Sequence, residues 1–82
     1  MKAKMTIVPA QLRAARGLIG WSQNDLAERS KVARSMIAGF ESSKRRPSLA
    51  NRNDLRRTLE AAGVIFVEED AEGPGVRLRK AK

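Results

Sequence analysis

Lys44, Arg45 and Arg46 stand in a row before Pro47. The chemistry such a cluster offers is the neutralisation of a polyanion, through charge and the release of its counterions. The rest of the chain points the same way: 17 Lys and Arg against 9 Asp and Glu leave a formal net charge of +8. That excess is not evenly spread. Residues 1–63 hold 13 basic and 5 acidic side chains, whereas residues 64–82 hold 4 of each. Cysteine and histidine are both absent, which removes disulfides, thiolate nucleophiles, imidazole bases and the usual zinc ligands. Glu68, Glu69, Asp70 and Glu72 could be imagined as a metal or acid–base cluster. With no histidine and no opposing carboxylates they read instead as a solvated strand end, kept away from phosphate by its charge. No catalytic residue, metal site or cofactor is therefore expected, and the chain is not expected to be an enzyme.

The cations need a scaffold, and 82 residues suffice for one modest core. Pro9 to Ile19 reads as a first helix, with proline tolerated at its start, Leu12, Ala15, Leu18 and Ile19 on one face, and Gly20 past its end. Ser22 is a suitable N-cap for a second helix from Gln23 to about Arg29, with Asp25 in the first turn and Leu26 and Ala27 inside. After a break at Ser30 and Lys31, a third helix spans about Ala33 to Glu41. Its inner side is Ile37 and Phe40, with Val32 packing just before it. Ser48 caps a fourth helix running to about Ala62, with Leu49, Leu55, Leu59 and Ala62 at helical spacing and Gly63 as the stop. The period then changes. Val64 to Val67 is a short β-branched and aromatic run, Ala71 to Gly75 a turn, and Val76 to Arg79 alternates strictly, which together predict a β-hairpin.

The expected architecture is mainly α: four to five helices followed by a C-terminal two-stranded β-hairpin. Residues 1–8 form an N-terminal arm, 9–63 the helical domain and 64–82 the hairpin. Trp21, the one tryptophan, could stack on a base, but its place before a helix cap favours a core or staple role. Arg52, Arg56 and Arg57 either extend the basic face or form the solvent side of the fourth helix, with Arg52 and Arg56 one turn apart. No stretch approaches the roughly 20 apolar residues that span a bilayer. The short run from Met5 to Val8, broken by Thr6 and stopped by Pro9, is too short for a signal peptide. A cytoplasmic protein without membrane attachment is expected.

Two short helices joined by a tight turn can hold the second of them out toward a major groove, provided a small residue lies where they cross and apolar residues pack the pair down. Ala27 is the small residue, and Leu26, Val32, Ile37 and Phe40 pack the pair. The outward positions Arg34, Ser35, Met36 and Gly39 are left for a partner. From Leu12 to Pro47 the segment LRAARGLIGWSQNDLAERSKVARSMIAGFESSKRRP resembles the phage repressor and Cro type of helix-turn-helix family, often called XRE. The resemblance rests on SQ-x-x-LA, V-x-R-S-x-I and E-x-x-x-R-x-P at matching spacings.

That resemblance implies a double-stranded DNA partner. It assigns Gln23, at the start of the second helix, to a phosphate, and Arg34, Ser35 and Met36 to base edges, where an arginine can bond both guanine acceptors. It lays Ser43, Lys44, Arg45 and Arg46 along the DNA backbone, and it pairs Arg16 with Glu41 in a partly buried ion pair bracing the third helix. The chain departs from the family pattern at three places. Lys31 stands where many relatives have glycine, Ala33 where a polar cap is usual, and Gly39 inside the third helix, where it weakens the helix unless the backbone must approach something closely.

The run from Val64 to Val67 has apolar side chains on both faces, and a lone hairpin is marginal in water. A homodimer is therefore expected through Val64, Ile65, Phe66, Val67, Val76 and Leu78. It would place two recognition helices about 34–36 Å apart on an inverted-repeat operator. The leading function is a transcription regulator acting by operator occupancy. The alternative is an antitoxin that autoregulates through the same domain while another surface holds a protein partner.

Overall fold

The computed structural model describes residues 7–68 and 73–80. The arm up to Thr6 and the acidic residues from Glu69 to Glu72 lie outside the described residues. The elements run α1 (Pro9–Ile19), α2 (Gln23–Ser30), α3 (Arg34–Glu41), α4 (Leu49–Ala61), β1 (Val64–Val67) and β2 (Gly75–Leu78). The fold is thus mainly helical, with a C-terminal two-stranded antiparallel hairpin. None of the described helices is long and apolar enough to cross a membrane.

Helix boundaries follow local chemistry. Pro9 occupies the first turn of α1, and Gly20 closes the helix in the left-handed conformation, which glycine adopts without steric penalty. The Ser22 hydroxyl accepts from the Asp25 N–H at 3.0 Å while the Asp25 carboxylate accepts from the Ser22 N–H at 2.9 Å. These two bonds satisfy donors that the first turn of α2 would otherwise leave open. Asp25 consequently stays ionised below the usual carboxylate range, held there by its hydrogen bonds with Ser22. Ser48 caps α4 in the same manner, accepting from Asn51 N–H at 3.1 Å.

One core joins helices and hairpin. Ile7, Leu12, Ala15, Leu26, Val32, Ile37, Phe40, Leu55, Leu59, Val64 and Phe66 are all buried in a single cluster. Two leucines expected inside are not there: Leu18 is 41% and Leu49 53% exposed. In α1 the inner stripe passes through Gln11, Leu12 and Ala15, leaving Leu18 to solvent. Leu49 lies six residues before Leu55, which at about 100° per residue carries it off the Leu55–Leu59 stripe.

The hairpin pairs Val64 with Leu78, Ile65 with Arg77, Phe66 with Val76 and Val67 with Gly75. Directly paired side chains share a face, and the face holding Val64, Phe66 and Val76 packs against this chain's own helical core. The expectation that these three belong to a subunit interface is corrected accordingly. The alternation of a strand can hide only every second residue against the helices, and Val64 and Phe66 take those positions. Gln11, which sequence reasoning overlooked, ties α1 to the hairpin. Its amide donates to the carbonyls of Gly75 at 3.0 Å and Val67 at 3.3 Å, while its Oε1 accepts from Val8 N–H at 3.0 Å.

Between α2 and α3, Lys31 takes the left-handed conformation with φ 66°, and its N–H donates to the Ala27 carbonyl at 2.9 Å. A side chain there is strained by about 1–2 kcal/mol, part of which glycine would return as unfolded-state entropy. Lys31→Gly is therefore expected to raise stability by about 0.5–1 kcal/mol. The shift of the urea midpoint at constant m-value measures it.

Candidate nucleic-acid interface

Glu41, the last residue of α3, is 5% exposed, and a carboxylate so placed must be matched by donors. Arg16 on α1 supplies two, Nε donating to Oε2 at 2.6 Å and Nη2 to Oε1 at 2.8 Å. This planar, two-pronged geometry is the strong form of the ion pair. Gln23 at the start of α2 adds a third donor, Nε2 to Oε1 at 3.0 Å. Arg13 donates to the backbone carbonyl of Glu41, and the remaining arm of Arg16 donates to the Trp21 carbonyl at 2.8 Å. Burial raises the Glu41 proton affinity, but hydrogen bonds from Arg16 and Gln23, with the charges of Arg16 and Arg13, outweigh it and hold the carboxyl below its usual range. Conversely, the hydrogen bond to Glu41 raises the Arg16 pKa despite partial burial. Three helices are thus locked together around one carboxylate.

This lock sets the first turn of α3. Gln23, having donated to Glu41, accepts through Oε1 from Arg34 Nη1 at 3.4 Å. Arg34 and Ser35 are exposed at the start of α3. Met36, expected outward with them, is half-buried against the core, because it adjoins the inward Ile37. Trp21 is likewise half-buried against the core, with the Arg29 guanidinium 4.4 Å from its ring centroid. That contact is a cation–π pair.

The basic loop is anchored to α3 itself. Ser43 turns with φ 64°, which lets the N–H groups of Lys44 and Arg45 both donate to the Gly39 carbonyl, at 2.8 and 3.1 Å. The stem of Arg45 then lies directly over Gly39: a Cβ at position 39 would fall 2.9 Å from the Arg45 Cβ and closer still to Cγ and Cδ. The surface of Gly39 is occupied by the chain's own arginine, which corrects the expectation that it lies open to base edges. Close approach does demand glycine here, but the approaching group is Arg45. Ser35 and Gly39 are one helical turn apart on the same face, so the loop cations adjoin the exposed start of α3.

Lys44, Arg45 and Arg46 are exposed. Three described acids on the helices are engaged elsewhere, Glu41 with Arg16, Glu60 with Arg56 at 2.9 Å and Asp54 with Arg57. No group of three metal-ligating side chains occurs among the described residues. Arg13 is the other site residue that sequence reasoning did not place. It stands on α1 one turn before Arg16, and its bond to a backbone carbonyl has no sequence signal.

Two short helices crossing over a left-handed turn, with an exposed arginine opening the second and a cationic loop laid against it, define a helix-turn-helix DNA-binding domain. A family model described as Helix-turn-helix matches residues 12–51, and this match supports an XRE-type helix-turn-helix regulator. No curated protein matches it.

Proposed function

We propose that the protein is a sequence-specific transcription regulator of the cytoplasm that binds double-stranded DNA as a homodimer, with α3 in the major groove of each half of an inverted-repeat operator. The observation that carries this reading is the exposed guanidinium of Arg34 at the first turn of α3, steadied by Gln23. A bidentate arginine contact to guanine discriminates by about 1–3 kcal/mol. Ser35 adds a short polar contact, and Met36, half-buried, offers only its outer edge. Gln23, Ser43, Lys44, Arg45 and Arg46 contact phosphates, fixing register while carrying little sequence information.

The second copy binds on the hairpin face turned away from the helices. Ile65 and Val67 lie there half-buried, and among the described residues the outer edges of both strands are unpaired in the two-stranded sheet. Apolar side chains beside an open edge favour pairing with another strand.

Selection of bound duplexes from a random pool tests both parts. The wild type is expected to enrich an inverted repeat whose half-site centres are about one helical turn apart, and enrichment of a single half-site would refute the dimer. Arg34→Ala is expected to weaken binding by about 5- to 150-fold and to relax preference at one guanine position. If every position keeps its preference, Arg34 is not a base reader.

A further inference from the structure

The bonding pattern of the hairpin decides which backbone groups remain for a partner. Arg79 N–H donates to the Gly63 carbonyl at 2.7 Å, which extends the register of the paired strands by one pair. Bonded and non-bonded pairs alternate along an antiparallel ladder. Gly63–Arg79, Ile65–Arg77 and Val67–Gly75 are therefore the bonded pairs, and the N–H and C=O groups of Val76 and Leu78 point away from β1. Among the described residues no third strand meets them. Such a row of unpaired donors and acceptors is a template for an added strand.

Side chains along this edge alternate. Val76 and Leu78 lie on the face toward the helices, with Leu78 left 47% exposed, whereas Arg77 and Arg79 are exposed on the opposite face. A groove of about 230 Å³ runs beside the strand, lined by Ala10, Gln11 and Ala14 of α1 and by Pro74, Gly75 and Val76. No described residue of β1 lines it, so it flanks the outer side of β2 instead of lying beneath the pair. The Gln11 amide is spent on the carbonyls of Val67 and Gly75, which leaves the groove chiefly apolar toward an inserted side chain.

Charge selects the occupant. From Gly75 to Lys80 there are three cations and no acid. The same strand of a second copy fits poorly: two-fold registers centred on Arg77 or Leu78 set Arg77 opposite Arg77 or Arg79, and like charges directly opposite are destabilising. A register centred on Val76 brings in Pro74, which has no N–H to give. An acidic strand reverses the sign of the interaction. We propose that the outer edge of β2 binds an extended acidic segment of another protein as a third strand. Its acids lie beside Arg77 and Arg79, and its alternate apolar side chains cover Leu78 and enter the groove against Ala10, Ala14 and Val76. Backbone bonds supply affinity and the alternation supplies choice. Ile65 and Val67, which the proposed dimer uses, are on β1, and the inference does not depend on DNA binding.

The probe is a short fluorescein-labelled peptide alternating valine and glutamate, mixed with the full chain and followed by anisotropy. The wild type is expected to bind it and to ignore the same peptide with lysine in place of glutamate. Arg77→Glu with Arg79→Glu is expected to weaken binding at least about tenfold, with unchanged circular dichroism, because two attractive neighbours become repulsive. The same reversal at Lys44 and Arg46 of the basic loop is expected to change it less than about twofold, since exposed charges at a distance are screened. Equal losses from the two reversals would mean attraction to cations in general and would overturn the site. Backbone methylation of the peptide separates strand addition from contact by charge alone. The valine amides face β2 in an antiparallel addition and the glutamate amides in a parallel one, so methylating one alternate set should abolish binding and methylating the other should not. Equal effects of the two sets, or no binding of the unmodified peptide by the wild type, overturn the proposal. Should the double reversal not fold, Arg77→Gln with Arg79→Gln carries the charge comparison: a loss of about 2- to 10-fold is expected, and full affinity overturns it.

Discussion

Replacing Glu41 with alanine is expected to destabilise the domain by about 3–5 kcal/mol, the range for removing one partner of a buried ion pair. The reason is what remains. Arg16, with a side chain 20% exposed, keeps its charge and loses two of its acceptors, while Gln23 loses the oxygen that orients it. Since a small domain holds only about 5–15 kcal/mol in all, the variant should be partly unfolded at moderate temperature, and urea titration monitored by circular dichroism will show it. The double variant Arg16→Met with Glu41→Leu should recover most of the loss, because a well-packed apolar pair often matches a buried ion pair in stability. Recovery of stability without recovery of DNA affinity would separate the two duties of Glu41, which fixes α3 and also, through Gln23, steadies Arg34.

The same carboxylate confers a pH dependence whose direction follows from its environment. Glu41 is held below its ordinary range in the folded state, so the unfolded chain binds a proton there more readily than the folded chain does. Its contribution is complete above the unfolded value, about 4.3, and is lost as pH falls from there through the folded value. Urea midpoints measured from neutral pH to about pH 3 should show this acid-side loss in the wild type. Glu41→Gln should lack that component of the slope, and parallel profiles for the two proteins would show that Glu41 is not protected.

Phe66→Ala is expected to cost about 3–5 kcal/mol, as truncation of a buried aromatic does. Phe66 is 7% exposed within the core shared by the helices, and the Arg56 guanidinium lies 5.8 Å from its ring centroid. Ile65, the adjacent residue on the opposite face, should tolerate replacement by threonine far better, since its side chain leaves no cavity in the helical core. Equal losses at the two positions would mean that the alternation has been assigned to the wrong faces. This contrast also governs how self-association is tested. A chain cut after Gly63 would strip Val64 and Phe66 from the core, and any change in sedimentation would report unfolding as much as dissociation. Charged substitutions at Ile65 and Val67 probe the proposed contact without opening the interior.

Much of this fold was legible because its boundaries are written in local chemistry. Pro9, Gly20, Ser22, Ser48 and Gly63 punctuate the helices through backbone rules that need no knowledge of the rest of the chain. Lys31 could be marked in advance as a strained turn for the same reason. What failed depended on distant neighbours. Leu18 and Leu49 are apolar at nearly the right period, and only the position of the hairpin and of α3 decides which side of each helix is covered. Gln11 looks like an ordinary polar residue in a first turn until β2 arrives with its carbonyls. The direction of Val64 and Phe66 could not be fixed by a run that is apolar on both faces. In the candidate site, residue types identified the cations, whereas the stacking of Arg45 on Gly39 is a product of tertiary placement.

That stacking bears on how much information one subunit can extract from DNA. With position 39 covered from within the chain and Ile37 and Phe40 buried, the side chains α3 can vary without disturbing the fold are confined to its first turn. In the proposed complex each subunit therefore has a short vocabulary, and a longer address is obtained by speaking it twice. Changing the preferred sequence by redesign would have to work through positions 34 and 35, because a larger residue at 39 would displace the basic loop before it met a base.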